Sequence, residues 1–393
     1  MTGTSFIHSQ GRTTHCFSRF ALIGFVCLAF FSPSFGVRAK YGQLSVKAGH
    51  IVNQYGNVQL RGMSMYGWTN ACGYAFYNAS CINHLAQDWK CTVIRLPYIP
   101  NRFIPMTSIN AVIQACIDNG IYVIVDWHVG AGIYASDTAM NFFKTIANQW
   151  HTYPNIMYEP WNEPTVGWPL IKPSLETVIA AIRAIDSTNI IICGTSQWDQ
   201  KPQDAAADPI TDYQNIAYSM HFDAASHSVA GYSPGITTAM SKGCAIFITE
   251  YGTCNANGSA PINLTATQAW YDFLDKNVIS STNWGVECYD TGGAAAFQKN
   301  ASTTGPWTDY DLTSEGLFVK AYIKGPGCAC MDNFPQSINS PMVRGELTKA
   351  DKKPIAVYTI NGAYYPAGEK LSNGLYIFQA QGKTYTKCFN IIP

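Results

Sequence analysis

The stretch NIMYEPWNEP, residues 155–164, decides the fold, because it is a short apolar strand that ends abruptly at a carboxylate, Glu163. A second stretch, CAIFITEYG at 244–252, repeats the design and carries Glu250 near its end. Short strands of continuously apolar character are typical of parallel sheets that are buried on both faces. The two stretches therefore predict a sheet whose strand ends bring carboxylates to one side.

The residue types at these strand ends indicate a chemistry. Asn162 places an amide that can bond a sugar hydroxyl directly before Glu163. A carboxyl group at the end of a buried strand, next to such an amide, suits acid catalysis of glycoside cleavage. Enzymes that cleave glycosides with two carboxylates require a pair of this kind, so Glu163 and Glu250 are the candidate catalytic residues.

Eight short apolar runs follow one another along the chain, each followed by a segment that can be helical. Eight such units predict an α/β fold, a (β/α)8 TIM barrel, over residues 40–325. A doubly wound sheet is the alternative, but it would hold its ligand in one crevice, whereas most of these runs end in polar residues. The runs are NVQLRGMSMYG (57–67), CTVIRLPY (91–98), IYVIVDWHV (121–129), NIMYEPWNE (155–163), IIICGTSQW (190–198), NIAYSMHFD (215–223), AIFITEYG (245–252) and NWGVECYD (283–290).

Charged and aromatic residues gather at the carboxyl ends of these strands. In a barrel of this type those ends converge on one face, where catalysis takes place. A single polar residue at a strand end is more often structural, but a full set at matching positions predicts a site. The set is Tyr66, Trp68, Arg95, Asp126, His128, Asn162, Glu163, Trp198, His221, Asp223, Glu250, Trp284 and Glu287.

Composition excludes several classes of function. The 25 Lys plus Arg balance the 25 Asp plus Glu, so electrostatics gives no reason to expect a nucleic-acid partner. Hydrophobic residues make up 47% of the chain and charged residues 13%, which predicts a large core and excludes general disorder. The candidate chemistry needs no metal ion and no organic cofactor, and we expect a monomer.

Residues 1–39 have the pattern of a secretory signal, with basic residues before the apolar run 20–31 and small residues before a cut near Lys40. The run is too short to span a bilayer comfortably. We therefore expect a secreted protein with no membrane span in the mature chain; retention of the segment as an anchor is the alternative.

Cysteine usage predicts disulfides in an exported protein, since 13 cysteines occur and eleven of them follow the signal. Cys72 and Cys81 are close enough in sequence to staple a loop, and Cys328 or Cys330 could reach Cys388. Connectivity cannot be deduced from spacing.

The composition changes after the predicted barrel. Residues 326–341 are rich in Gly, Pro, Ser and Asn and indicate a linker. Residues 342–393 contain short apolar strands separated by Asn-Gly pairs, which predicts a small C-terminal β-sandwich-like module.

The ordered segments LRGMSMYG, TVIRLPY, VIVDWHVG, IMYEPWNEP, SMHF, IFITEYGT and NWG resemble glycoside hydrolase family 5 (cellulase family A), in particular its bacterial-type subfamily 2. The resemblance covers about residues 41–325. It implies a retaining endo-β-1,4-glucanase acting on β-1,4-linked glucan, with Glu163 as acid/base and Glu250 as nucleophile.

The same resemblance assigns roles to other residues. Arg95 would bond the nucleophile and Asn162 would hold the 2-hydroxyl of the sugar. His128 and His221 match histidines of the family's substrate-binding and charge network. Trp284 matches the tryptophan under the sugar that is cleaved. For this mechanism Glu163 must be protonated near neutral pH while the nucleophile is anionic, so their surroundings must separate the two pKa values.

Three positions depart from the family pattern. Asp223 stands where the family has a tyrosine that bonds the nucleophile, Tyr66 replaces a histidine, and the last strand is followed by an added carboxylate, Glu287. If Asp223 and Glu287 both faced Glu250, repulsion would raise the pKa of the nucleophile; the alternative is that they point elsewhere.

The tail GLYIFQAQGKTYTKCFNII resembles a secretion sorting domain of the Bacteroidetes type, and a carbohydrate-binding module is the rival interpretation. For the barrel, activity on mannan, xyloglucan or mixed-linkage β-glucan is one alternative. A catalytically impaired glucan-binding protein is the other.

Overall fold

The computed structural model describes residues 39–325 apart from 69–71, 101, 103, 131–133, 135 and 289–292, together with four strands near the C-terminus. The predicted signal lies outside the described residues except for Ala39, and the predicted linker lies outside them entirely. So do Cys328 and Cys330, and with them the disulfide expected in the tail.

A small antiparallel sheet precedes the barrel. Its strands are β1 (Ser45–Lys47), β2 (His50–Asn53) and β3 (Gly56–Asn57). Ala48 and Gly49 join the first two with φ values of 49° and 80°, as a tight hairpin turn requires. The N–H of Gly49 donates to the carbonyl of Gly243 at 3.1 Å, which holds the hairpin against the barrel.

Eight parallel strands form a closed barrel, which confirms the predicted (β/α)8 fold and excludes the doubly wound sheet. In chain order they are β4 (Arg61–Met65), β5 (Val93–Tyr98), β6 (Tyr122–Trp127), β7 (Ile156–Glu159), β8 (Ile191–Cys193), β9 (Ile216–Asp223), β10 (Ala245–Gly252) and β11 (Ser280–Val286). Each strand pairs with the next in sequence, and β11 pairs with β4 to close the cylinder.

Helices surround the barrel. They are α1 (Ala79–Gln87), α2 (Met106–Asp118), α3 (Ser136–Trp150), α4 (Trp168–Arg183), α5 (Ser196–Asp199), α6 (Pro202–Ala207), α7 (Val229–Ser241), α8 (Leu264–Asn277) and α9 (Ser314–Lys324). Side-chain oxygens of Asn78, Ser228 and Thr313 cap three of them by accepting from backbone N–H groups of the first turn. No helix in the described ranges combines the length and apolar character that crossing a membrane requires.

Two apolar cores stabilise this arrangement. The larger lies between the strands and the helices. The smaller fills the lower interior of the barrel, where Tyr122, Ile124 and Phe247 pack with Tyr41 and Leu44 from the segment before the barrel. The Tyr122 hydroxyl donates to the Gly42 carbonyl at 2.7 Å, so that end of the barrel is plugged.

The C-terminal part contains β12 (Ala356–Thr359), β13 (Tyr364–Tyr365), β14 (Gly374–Ala380) and β15 (Lys383–Phe389). They pair antiparallel in the order β13-β12-β14-β15. The described strands form one sheet, whereas the prediction was a module with two packed layers.

Candidate active site

Five of the residues predicted at the strand ends meet in one cavity of about 430 Å³. Glu163, Trp198, His221, Asp223 and Glu250 all line it. These residues come from the segment after β7, from α5 and from the ends of β9 and β10. The sequence therefore predicted which residues gather here, although β7 ends at Glu159 and Glu163 lies beyond it.

The two candidate catalytic carboxyl groups face each other. Carboxylate oxygens of Glu163 and Glu250 and a ring nitrogen of His221 lie within 4.8 Å of one another. The side chains of Glu163 and Glu250 are 26% and 20% exposed, so both reach the cavity from a mostly buried position. A ligand entering the cavity contacts both groups at once.

Arg95 is the fully buried cation beneath this pair. Its Nη1 donates to Glu250 Oε2 at 2.9 Å, and its Nε and Nη2 donate to the two oxygens of Glu159 at 2.7 and 3.1 Å. Nη2 also donates to Asn162 Oδ1 at 2.5 Å and lies 3.0 Å from Asp126 Oδ2. Burial alone would lower the pKa of this guanidinium, but the three carboxylates raise it well above its usual value.

Arg95 also orients the neighbouring amide. Because it donates to the carbonyl oxygen of Asn162, the amide nitrogen of that side chain is directed away from the guanidinium. The Asn162 side chain thus offers a donor to a ligand hydroxyl.

Hydrogen-bond partners determine which nitrogen of His221 carries the proton. The Thr249 hydroxyl donates its one hydrogen to Glu159 Oε1 at 2.8 Å. It must therefore accept from His221 Nε2, which lies 2.8 Å away. Burial lowers the pKa of His221 to about 4, so the ring is neutral and its Nδ1 is an acceptor.

That acceptor faces the acid/base candidate. His221 Nδ1 lies 3.0 Å from Glu163 Oε1, so a protonated Glu163 donates to it. Burial raises the pKa of both Glu163 and Glu250. Two carboxyl groups this close hold one negative charge more easily than two, and the direct bond from Arg95 places that charge on Glu250.

Aromatic rings form a continuous wall beside the carboxyl pair. Trp284 stacks on His128 with ring centroids 5.4 Å apart, and Tyr66 meets Trp284 edge-on at 5.3 Å. Trp68, which is 40% exposed, contacts His128 at 5.8 Å. Asp126 fixes His128 through a 2.8 Å contact with Nδ1.

Trp198 stands apart from that wall and is 51% exposed while lining the cavity. Gln197, Trp198 and Asp199 form a left-handed turn with φ values of 56°, 57° and 60°. Such a run is strained for residues with side chains. It points Trp198 outward and leaves Asp199 fully buried, with Oδ2 3.3 Å from His221 Nε2.

Asp223 enters the cavity, but Glu287 does not line it. Burial, and then the charges of Glu250 and Glu163, raise the pKa of Asp223 to about 8. Asp223 lies so close to Gly252 that a side chain at Gly252 would clash with it. Asp223 therefore lies in the cavity with the carboxyl pair, and its raised pKa favours the neutral carboxyl below about pH 8.

Of the two alternatives for Glu287, the cavity lining favours the one in which it points elsewhere than at Glu250. Glu287 is only 4% exposed, and burial alone raises its pKa to about 8. Its charged neighbour is Glu315 of α9, whose pKa is also raised to about 8 by burial. The N–H of Glu287 donates to the Gly285 carbonyl at 2.9 Å, and the Glu287 carbonyl accepts from the N–H of Phe297 at 3.0 Å, so the backbone of this residue is fixed just after β11.

Sequence reasoning missed Glu159, Thr249 and Asp199, which hold Arg95 and His221 in place. Glu159 gave a usable signal, since a carboxylate inside an apolar strand must find a cation. Two groups have the spacing of cation ligands: Glu159, Asp199 and His221, and Glu163, His221 and Glu250. A cation at either group would compete with the hydrogen bonds just described.

A closed β/α barrel with two facing carboxyl groups at the ends of its strands defines a glycoside hydrolase. Residues 52–289 match the family model described as cellulase (glycosyl hydrolase family 5), so the chain belongs to that family. The chain is an enzyme of the glycoside hydrolase class.

Similar proteins agree with this assignment. The chain is 38% identical over 341 residues to an endoglucanase of Clostridium saccharobutylicum, covering 82% of this chain and 75% of the relative. It is 35% identical over 268 residues to endoglucanase Z of Dickeya dadantii, covering 66% of this chain and 60% of the relative.

Solved structures show the same barrel. A structure from Cytophaga hutchinsonii superposes with a TM-score of 0.69 at 41% identity, covering 72% of this chain and 95% of the other. The catalytic domain of Thermobifida fusca endoglucanase Cel5A, in complex with cellotetraose, superposes with a TM-score of 0.66 at 31% identity, covering 72% and 98%.

We predict that Asp223→Asn leaves kcat/KM at pH 6 within about threefold of the native value, because the carboxyl it replaces is neutral there. Above pH 8 the native enzyme gains a charge beside Glu250 that the variant lacks, so the two pH profiles should separate on the alkaline side. Initial rates between pH 5 and 10 test this. A loss of tenfold or more at pH 6 would mean that the ionised carboxylate is required.

We predict a second pH effect from Glu287 and Glu315. Their pKa values of about 8 in the folded protein exceed the value of about 4.3 in an unfolded chain. The folded state thus binds more protons than the unfolded state between these pH values. Their contribution to stability is complete below about pH 4.3 and is lost as the pH rises towards 8.

Glu287→Gln and Glu315→Gln should each raise the melting temperature at pH 9 relative to the native protein and change it little at pH 5. Thermal unfolding across this range measures the effect, with the half-exposed Glu176→Gln on α4 as a control that shifts neither end. If the melting temperature changed with pH in the same way in the native protein and all three variants, the raised pKa values of Glu287 and Glu315 would be contradicted.

Proposed function

We propose that the chain is a secreted, retaining endo-β-1,4-glucanase of bacterial-type subfamily 2. In this proposal Glu163 is the acid/base and Glu250 the nucleophile, and the substrate is a β-1,4-linked glucan. The observation that carries the proposal is the carboxyl pair itself, with oxygens within 4.8 Å, one bonded to Arg95 and the other to His221 Nδ1.

The spacing of the pair favours retention. Retaining enzymes hold their carboxyl groups about 5–5.5 Å apart, while inverting enzymes leave roughly 6.5–9.5 Å for a water molecule between carboxylate and sugar. An oxygen of Glu163 and one of Glu250 lie within 4.8 Å of each other, which supports the closer, retaining arrangement. Glu250 therefore attacks the sugar directly and forms a covalent glycosyl ester.

Proton movement in the proposed reaction follows the hydrogen bonds. Glu163 gives its proton to the departing glycosidic oxygen, while Arg95 keeps Glu250 ionised for attack. Formation of the ester removes the charge from Glu250. Glu163 is then the only anion of the pair, and it takes a proton from the water that hydrolyses the ester.

The surrounding residues take supporting roles in this proposal. Asn162 presents its amide to the 2-hydroxyl of the sugar. Trp284, stacked on His128, forms the floor under the ring that is cleaved. Trp198, which lines the cavity, and Trp68, which contacts His128, are both exposed and offer flat faces for neighbouring sugar units.

Several further points belong to the proposal. Residues 1–39 direct export, residues 326–341 link the barrel to the tail, and residues 342–393 form a sorting or accessory module. Similarity to two endoglucanases supports glucan as the substrate. Mannan and xyloglucan remain comparison substrates in the first assay.

We predict that Glu163→Gln and Glu250→Gln each lower the release of reducing ends from carboxymethylcellulose by about 10³-fold or more. Glu176→Gln, on the outer helix α4, should release reducing ends at the native rate. No release by the native enzyme, with mannan and xyloglucan also untouched, would favour a glucan-binding protein that has lost its chemistry.

A substrate with an activated leaving group separates the two roles. With dinitrophenyl β-cellobioside no acid is needed for departure, so Glu163→Gln should still show a burst of dinitrophenol equal to the enzyme concentration. Azide should then accelerate its turnover, since azide needs no base. Glu250→Gln should show neither burst nor rescue; a burst from that variant would mean that the nucleophile lies elsewhere.

We also predict that the first product released by the native enzyme has the β-configuration, because two displacements at one carbon restore the original geometry. Proton NMR of cellotetraose hydrolysis, recorded before mutarotation, measures the anomer. An α-product formed first would show inversion.

A further inference from the structure

Two cysteines meet where the barrel closes. Cys72 lies in the segment after β4, and Cys288 lies two residues after the end of β11. The N–H of Cys288 donates to the Cys72 carbonyl at 3.2 Å, and the Cys72 thiol donates to the Cys288 carbonyl at 3.2 Å. Backbone and side chain thus both hold these residues together.

Their geometry suits a covalent link. The two hydrogen bonds, one from the backbone of Cys288 and one from the thiol of Cys72, bring the two residues into direct contact. Disulfides span Cα separations of about 4.4–6.8 Å. After burial, the Cys72 thiol is the next cause that raises the pKa of Cys288, as expected for two thiol groups that lie close together.

A Cys72–Cys81 bond, which the spacing along the sequence allows, is not formed in this structure. Cys81 is fully buried in the core, where its neighbours are Cys91 and Cys116. All eight cysteines that the structure describes are free thiols. Among them, Cys72 and Cys288 are the two whose backbone and thiol groups contact each other.

We propose that Cys72 and Cys288 form a disulfide that joins the segments following the first and the last barrel strands. The link closes the cylinder covalently at its active-site end, where β4 and β11 meet. It spans two segments that carry Tyr66 and Trp284, whose rings contact each other at 5.3 Å. The inference concerns the barrel's closure and does not depend on the substrate.

The reaction balances with a small disulfide as oxidant. Cys72, which is partly exposed, attacks glutathione disulfide as a thiolate and releases one glutathione. Cys288 then attacks the mixed disulfide, forms the Cys72–Cys288 bond and releases the second glutathione. Two thiol hydrogens leave as protons, and the two electrons reduce the glutathione disulfide. Burial raises the pKa of Cys288 to about 12, which is why the reaction begins at Cys72.

Peptide mapping tests the proposal directly. The full-length protein is equilibrated with glutathione disulfide at pH 8, its free thiols are alkylated, and it is digested without reduction. Mass spectrometry should find one peptide pair joined through Cys72 and Cys288. A link from either residue to Cys81 or Cys254, or alkylation of both after oxidation, would overturn the proposal.

Stability provides the second measurement. The bond closes a long loop, so the oxidised protein should melt at least about 5 °C above the reduced protein. Cys72→Ser and Cys288→Ser should each abolish the difference between oxidised and reduced samples. Cys254→Ser removes a different buried thiol. This variant should keep both the linked peptide and the difference in melting temperature between the oxidised and reduced samples. Equal melting temperatures for the oxidised and reduced native protein would contradict a stabilising bond. Peptide mapping of the native protein identifies the paired cysteines even if a variant does not fold.

Discussion

The bonds of one buried guanidinium hold the active-site face together. Arg95 comes from β5, and its partners come from β6, β7, β10 and the segment after β7. A cation with no exposure is tolerable only because several acceptors surround it, and removing one partner of a buried ion pair typically costs about 3–5 kcal/mol. Its fork of donors places each acceptor at a fixed angle, which lysine could not do.

Arg95 also gives two chemically identical side chains, Glu163 and Glu250, different roles in the proposed reaction. Glu163 and Glu250 share a cavity, and burial raises the pKa of both. What distinguishes them is the hydrogen-bond chain: Arg95 donates to Glu250, while Thr249 fixes His221 so that its free nitrogen accepts from Glu163. The distinction therefore originates in Arg95 and Thr249, which are both fully buried.

The fold was readable from the sequence because eight apolar runs, each ending in polar residues, allow few other architectures. Glu163, Glu250, His221 and Arg95 were readable because strand ends converge. The direction of the Glu287 side chain could not be predicted from the sequence, because the turn of a single residue after β11 decides whether its carboxyl group faces the cavity or the core. The contact of Cys72 with Cys288 could not be predicted either, because it arises only when the first and last strands pair.

The sheet β1–β3 and the segment before it close one end of the barrel, so the barrel is open only at the other end. A polymer can lie across the mouth but cannot thread through the protein. Everything must enter and leave on one side, including the water that ends the proposed reaction. The leaving half of the sugar chain occupies the position that this water needs. Because there is a single opening, the first sugar fragment must depart before water hydrolyses the glycosyl ester in the proposed reaction.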